Sequence, residues 1–173
     1  MTENLINLTK HCESLHDGNL KEIGLQPKMC PAGIWTEGYG RAMRYKGEFL
    51  KGAENEALAN KLATIHTVEQ AIEALKEDLQ DYENRVLSLK LNLKVYQLEA
   101  LTDFAYNEGF ANLQQSHLLQ KVKAGAKPEI ITAEFMKWNK AHVKGKLIVL
   151  PGLTFRRQSE ALYFNTGIIK FFN

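Results

Sequence analysis

Glycine is unevenly spread along this chain. Seven of its twelve glycines fall within residues 17–52, together with Pro27 and Pro31, and no apolar repeat of helical period survives across that stretch. Ile34, Thr36 and Tyr39 favour short strands there, which predicts a small antiparallel sheet of hairpins. On either side the helical period returns. A chain divided in this way cannot be a uniform bundle or sandwich; it reads as α+β.

The flanking segments carry their own start and stop signals. Thr2 can cap a first helix bearing Leu5, Leu8, Cys12 and Leu15 on one face. Residues 53–66 are ambiguous, with a short helix through Ala57-Leu58-Ala59 as one reading. Thr67 and Gln70 form a capping-box pair ahead of Ile72, Leu75, Leu79, Tyr82, Val86 and Leu89, whose spacing alternates between three and four. This long stripe is read as core, on a helix of about 30 Å at 1.5 Å per residue. Further helices are expected through Leu98, Leu101, Phe104 and Ala105 up to Gly109, over residues 116–122, and from Pro128 through Ile131, Phe135 and Trp138. Pro151-Gly152 should break the chain before Thr154 caps a last helix, on which Arg156 and Glu160 can pair. The remainder after residue 67 is thus read as helical throughout.

Charge narrows the function classes. Lys and Arg total 22 against 20 Asp and Glu, a net charge of +2, which argues against a dedicated nucleic-acid binder. It permits mild attraction to an anionic cell wall. The most basic run, Lys137-Trp138-Asn139-Lys140 and His142-Val143-Lys144-Gly145-Lys146, is either a solvated face or a wall-facing one. Two cysteines are no disulfide framework; Cys12 falls on an apolar helix face, and a Cys12–Cys30 bridge is the alternative. The five histidines lack metal-ligand spacing. No stretch reaches the roughly 20 apolar residues of a membrane span. The first residues do not read as a signal peptide, so synthesis in the cytoplasm is expected.

Residues 30–40 read Cys-Pro-Ala-Gly-Ile-Trp-Thr-Glu-Gly-Tyr-Gly, and Glu13 precedes them at the end of the first helical segment. An acid, a thiol and a hydroxyl are gathered around a glycine-rich turn. Taken alone, Gly33, Gly38 and Gly40 could simply serve a hairpin. The C-terminal end of a helix disfavours a carboxylate charge, yet a Glu there is ordinarily a solvated surface group. A Thr on a strand is commonplace, and its hydroxyl both donates and accepts.

The stretch resembles the active-site hairpin of the phage-type lysozymes, glycoside hydrolase family 24. Their pattern is a Glu, then an Asp or Cys, then a Thr six positions on, then Gly-Tyr-Gly. Cys30, Thr36 and Gly38-Tyr39-Gly40 keep that order. The likeness returns in Gln97-Leu98-Glu99-Ala100-Leu101, in Phe104-Ala105-Tyr106-Asn107-Glu108-Gly109, and in Leu150-Pro151-Gly152-Leu153 with Arg156-Arg157. It therefore covers roughly residues 3–165.

The resemblance implies a single lysozyme-like domain over residues 1–173. A small antiparallel β-hairpin lobe (about 14–66) and a larger helical lobe (1–13 and 67–173) would be joined by a long helix. It implies a muramidase that cuts the β-1,4 bond between N-acetylmuramic acid and N-acetylglucosamine in peptidoglycan. Glu13 would be the general acid, Cys30 and Thr36 would position water, and Tyr106 and Asn107 would contact saccharide. The enzyme would work as a monomer without cofactor, reaching the wall after release by another factor.

Two departures stand out. The family separates its Glu from its Asp or Cys by eight residues; here sixteen intervene between Glu13 and Cys30, and Glu22 lies within the insert as a rival acid. Arg41 stands where many relatives have His, which should remove one structural contact. Two other readings remain open: a lytic transglycosylase, because an un-ionised thiol is a poor base, and a non-catalytic peptidoglycan-binding module.

Overall fold

The computed structural model describes residues 1–173 apart from Ser14, Leu20, Pro31, Lys144 and the side chain of Val143. Helix α1 (Glu3–Cys12) buries Leu5, Ile6, Leu8 and Thr9. Thr2 Oγ1 accepts the Asn4 N–H at 3.2 Å, so the capping residue is the one its chemistry suggests. The helix stops at Cys12, so Leu15 lies beyond its apolar stripe.

The chain forms two compact units, Glu13–Asp78, and Met1–Cys12 together with Leu79–Asn173. The first of these contains strands β1 (Lys28–Met29), β2 (Trp35–Glu37) and β3 (Arg41–Ala42), an antiparallel sheet in that order. Lys28 faces Thr36, and Thr36 faces Ala42. A second hairpin follows, β4 (Arg44–Tyr45) and β5 (Glu48–Phe49). A 3-10 turn over Ala53–Asn55 leads into α2 (Glu56–Leu62), which resolves the ambiguous segment as helix. Trp35, Met43, Leu50 and Ala59 make the core of this unit. The Trp35 indole N–H donates to the Gly52 carbonyl at 2.8 Å, so its burial leaves no donor unmet.

Helix α3 (Val68–Leu87) follows. Its capping box closes as expected: Thr67 Oγ1 accepts the Gln70 N–H at 3.2 Å, and Gln70 Oε1 accepts the Thr67 N–H at 3.1 Å. Leu75, Leu79 and Val86 of the expected stripe are buried. The boundary between the units falls within this helix, so the residue 13–78 unit takes in its first half.

The remaining elements are α4 (Val95–Glu108), α5 (Phe110–Gln115), α6 (His117–Lys123), α7 (Pro128–Met136), β6 (Lys140–Val143), β7 (Lys146–Val149) and α8 (Pro151–Thr166). Ser116 caps α6 by accepting the Leu119 N–H at 3.0 Å. Phe104 and Phe135 are fully buried; their rings meet edge-on at 5.7 Å, and Trp138 meets Phe104 edge-on at 5.3 Å. Trp138 is therefore core, each such aromatic contributing about 1.5–3 kcal/mol by burial.

Two expectations are corrected here. Residues 140–149 are not helical but a hairpin, which β-branched Val143, Ile148 and Val149 and the turn glycine Gly145 (φ 78°) favour. Pro151 does not break the chain ahead of a Thr154 cap; it opens α8 at the first helical position, where proline's missing N–H costs nothing. Thr154 lies inside the helix, its hydroxyl bonding back to the Leu150 carbonyl at 3.1 Å.

The Arg156–Glu160 pair exists, at 3.4 Å, but within a buried cluster rather than on a surface. Asp103 accepts the Thr9 hydroxyl at 2.6 Å and a fork from Arg156, with both bonds at 2.9 Å. Arg157 donates to Glu108 at 2.8 Å and to Glu160 Oε1 at 2.5 Å, while Glu160 Oε2 meets no donor. Burial pushes the Glu160 carboxyl well above its ordinary range, against the pull of Arg157 and helped by the charge of Asp103. Burial opposes the Asp103 charge too, but Arg156 and hydrogen bonds from Glu160, Arg156 and Thr9 outweigh it and hold Asp103 below the usual range. The two shifts run in opposite directions because Arg156 forks onto Asp103, so of this buried pair of carboxyls Asp103 is the one favoured as carboxylate.

Candidate active site

Glu13 is the first residue beyond α1 and is half-buried. Its position is tied to the glycine turn: a Cβ built on Gly40 would sit 3.4 Å from Glu13 Oε2. Gly40 has φ 89°, in the left-handed region, so this position favours glycine for conformation as well as for room. Three residues on, the His16 N–H donates to the Gly38 carbonyl at 2.8 Å. The chain leaving Glu13 is thus laced to Gly38-Tyr39-Gly40.

The insert is built on its own turn chemistry. Asp17 Oδ1 accepts the N–H groups of Asn19 at 3.2 Å and Gln26 at 3.4 Å, an Asx turn that closes the loop. The Gly18 N–H reaches the Gln26 carbonyl at 3.0 Å. Glu22, the rival acid, is exposed and accepts from Asn19 Nδ2 at 3.0 Å. With Asn19, Gln26, Lys28, Trp35 and Asn60 it lines a polar pocket of about 240 Å³.

Thr36 is central in β2 and buried. Its hydroxyl donates to the Lys28 carbonyl at 2.8 Å, which commits its one proton and leaves its lone pairs as acceptors. Cys30 directly follows β1, the strand that pairs with Thr36: its N–H donates to the Ile34 carbonyl at 2.8 Å, and its carbonyl accepts from the Gly33 N–H at 2.8 Å. Cys12 and Cys30 are not joined, so the bridge weighed from sequence is not formed. All three expected catalytic positions belong to the Glu13–Asp78 unit.

Tyr106 and Asn107 lie on α4, in the other unit. Tyr106 meets Tyr82 edge-on at 5.5 Å. Asn107 Oδ1 is buried without a hydrogen-bond partner among the described residues, an acceptor whose need a ligand N–H would meet.

A family model described as phage lysozyme matches residues 20–160. The chain belongs to the phage lysozyme family. The family match takes in Cys30, Thr36, Tyr106 and Asn107 and begins beyond Glu13, whose assignment therefore leans on its place beside Gly40. The chain is 33% identical over 146 residues to an endolysin of Acyrthosiphon pisum secondary endosymbiont phage 1, covering 84% of this chain and 89% of that protein. Its fold is similar to the endolysin from Escherichia coli O157:H7 phage FAHEc1, with a TM-score of 0.74 and 26% identity over 98% of this chain and 95% of that one. It is also similar to the muramidase domain of SpmX from Asticaccaulis excentricus, at a TM-score of 0.71 and 26% identity over 95% and 97% of the two chains. Membership makes this phage-type lysozyme a glycoside hydrolase of α+β fold. Among the described residues no helix is long and apolar enough to cross a membrane.

Sequence reasoning passed over Glu37 of this lysozyme's hairpin and gave Arg41 no partner. Glu37 is buried, and its carboxylate accepts the Thr64 N–H and hydroxyl, each at 2.9 Å, and the Ile65 N–H at 3.1 Å. It ties β2 to the segment before α3. Nothing local marks it, because its partners lie 27 and 28 positions away. Arg41 does not forfeit a contact: it forks onto Asp78 at 2.9 and 3.0 Å and reaches Glu77 at 3.1 Å. Its longer side chain brings more donors to α3 than an imidazole could.

Proposed function

We propose that this lysozyme hydrolyses the β-1,4 bond between N-acetylmuramic acid and N-acetylglucosamine, with Glu13 as general acid and Cys30 and Thr36 placing the water. The observation that carries the reading is the Glu13 carboxylate resting against Gly40, on the same β-sheet unit as Thr36 and Cys30. Glu13 protonates the leaving oxygen as the glycosidic C–O bond breaks. Water attacks the sugar carbon from the opposite face; the proton it sheds as the new C–O bond forms passes to solvent, from which Glu13 is reprotonated. Thr36 accepts a hydrogen from that water and so orients it, but with its own proton held by Lys28 it is a positioning group and not a base. Tyr106 and Asn107 contact the saccharide, Asn107 Oδ1 accepting an N-acetyl N–H. The enzyme acts as a monomer, without cofactor, on a wall it meets after another factor releases it from the cytoplasm.

The test is mass spectrometry of digested muropeptides with two variants. Glu13→Gln should fold normally and lose about 10²–10⁴-fold in turnover, while Glu22→Gln should retain it. The reverse pattern transfers the acid to Glu22. Reducing ends in the wild-type digest support hydrolysis; anhydro ends would mean that the sugar's own hydroxyl attacks, as in a lytic transglycosylase. No cleavage by the wild type would leave only a binding module.

A further inference from the structure

The β6–β7 hairpin has an exposed face that takes no part in this chemistry. Its register sets Lys140 opposite Val149 and His142 opposite Leu147. Directly opposed residues share a face, so basic and apolar side chains stand paired on one side of the ribbon. Leu147 is 57% exposed and Val149 52%, and Ile148 between them, on the other side, is 41% exposed. Three consecutive apolar strand residues in water are the mark of an interaction surface rather than of a core.

Charge says which kind. Residues 135–159 contain no Asp or Glu but four lysines, Lys137, Lys140, Lys144 and Lys146, against a net charge of +2 for the whole chain. Lys137 is engaged by Glu134 at 2.7 Å; Lys140 and Lys146 are exposed on the hairpin, Lys140 on the face of Leu147 and Val149 and Lys146 on the opposite one with Ile148. An anionic polysaccharide would satisfy the lysines and leave Leu147 and Val149 in water. A purely apolar partner would desolvate the lysines without return. The surface that answers both is a bilayer interface, where headgroup phosphates lie a few ångströms above an acyl region. Lysine stems can lie along the apolar face while their ammonium groups reach up to phosphate.

We propose that the face formed by Lys140, His142, Leu147 and Val149 docks on anionic phospholipid. The proposal does not depend on which residue is the general acid. It predicts co-sedimentation of the intact protein with vesicles of phosphatidylglycerol and phosphatidylethanolamine, weakening with salt, and little with pure phosphatidylcholine. Lys140→Gln with His142→Gln should lower binding about fivefold, the loss expected for the one lysine of this face. Leu147→Ser with Val149→Ser should lower it about tenfold or more. Both double variants should keep wild-type turnover on soluble wall fragments, and Lys121→Gln with Lys123→Gln on α6 should bind as wild type.

As a measurement free of variants, anionic vesicles should slow amide hydrogen exchange across residues 140–149 of the wild type. The proposal is overturned by equal binding to neutral vesicles, by undiminished binding of the double variants, or by unchanged exchange in the hairpin. Binding to purified sacculi that only the hairpin variants lose, without lipid binding, would assign the face to wall polymer. A dimer lost in the Leu147/Val149 variant, without lipid binding, would assign it to a second copy.

Discussion

At Thr36 a single hydroxyl does two things, and the geometry separates them. Its proton secures the Lys28 carbonyl at 2.8 Å, which leaves its lone pairs as the acceptors that the proposed water would use. Thr36→Ser keeps both and should stay close to wild-type turnover. Thr36→Val keeps the shape and loses both; misplacing the water should cost about 10²-fold in kcat, and losing one hydrogen bond about 1 kcal/mol in urea unfolding. A Thr36→Val enzyme with full turnover would remove Thr36 from the water site. Cys30 is argued in the same way. Cys30→Asp should remain active, Cys30→Ala should lose much of its turnover, and the wild type should be indifferent to reductant. Dependence on reductant, or a fully active Cys30→Ala, would take the thiol out of the mechanism.

Between elements, the clamp of β3 on α3 is the most informative contact. Burial works against the Arg41 charge, but Asp78 and then Glu77 outweigh it and hold the guanidinium pKa above its ordinary value. Arg41 therefore stays charged throughout the accessible pH range, and the clamp should be insensitive to alkali. Arg41→His should change that. A histidine gaining Asp78 as partner has its folded pKa raised, so its contribution is complete below the unfolded value of about 6.5 and fades as pH rises through the folded one. Urea unfolding should place this variant near wild type at pH 5.5 and about 1 kcal/mol below it at pH 8.5, a size discounted because both side chains are about 30% exposed. Equal deficits at both pH values would mean that the lost fork geometry, not the charge, is what matters. The lesson for sequence reading is one of range. Thr67 with Gln70 and Pro128 were legible because a cap needs only its neighbours, whereas the β6–β7 hairpin was missed because its basic residues mask its strand pattern.

For the molecule as a whole, the buried cluster around Asp103 sets how stability follows pH. Asp103, depressed in the folded protein, contributes stability that is present above its unfolded value and lost as pH falls through the folded one. Glu160 runs the other way: with its folded value raised, its contribution is complete below about 4.5 and declines as pH rises toward the folded value. Glu108, raised chiefly by burial against the pull of Arg157, adds in the same sense as Glu160. Glu160→Gln is neutral at every pH, so its urea midpoint should fall less than that of the wild type between pH 5 and pH 7. An unchanged slope would mean that Glu160 is ionised in the fold. Asp103→Ala takes from buried Arg156 the carboxylate it forks onto and should cost about 3–5 kcal/mol.

The sequence alone determined the α+β division, the family, the long capped helix and the order of the catalytic motif. Each of these rests on local signals: glycine clustering, apolar period, caps, and residue spacing within a hairpin. Tertiary structure decided the rest. It placed Glu13 against Gly40 across an insert that obscures their spacing, gave Glu37 and Arg41 partners far along the chain, and buried Arg156 and Glu160 where spacing alone suggested a simple helix pair. Burial and long-range partners depend on which surfaces the folded chain brings together, and no window of neighbouring residues contains that information.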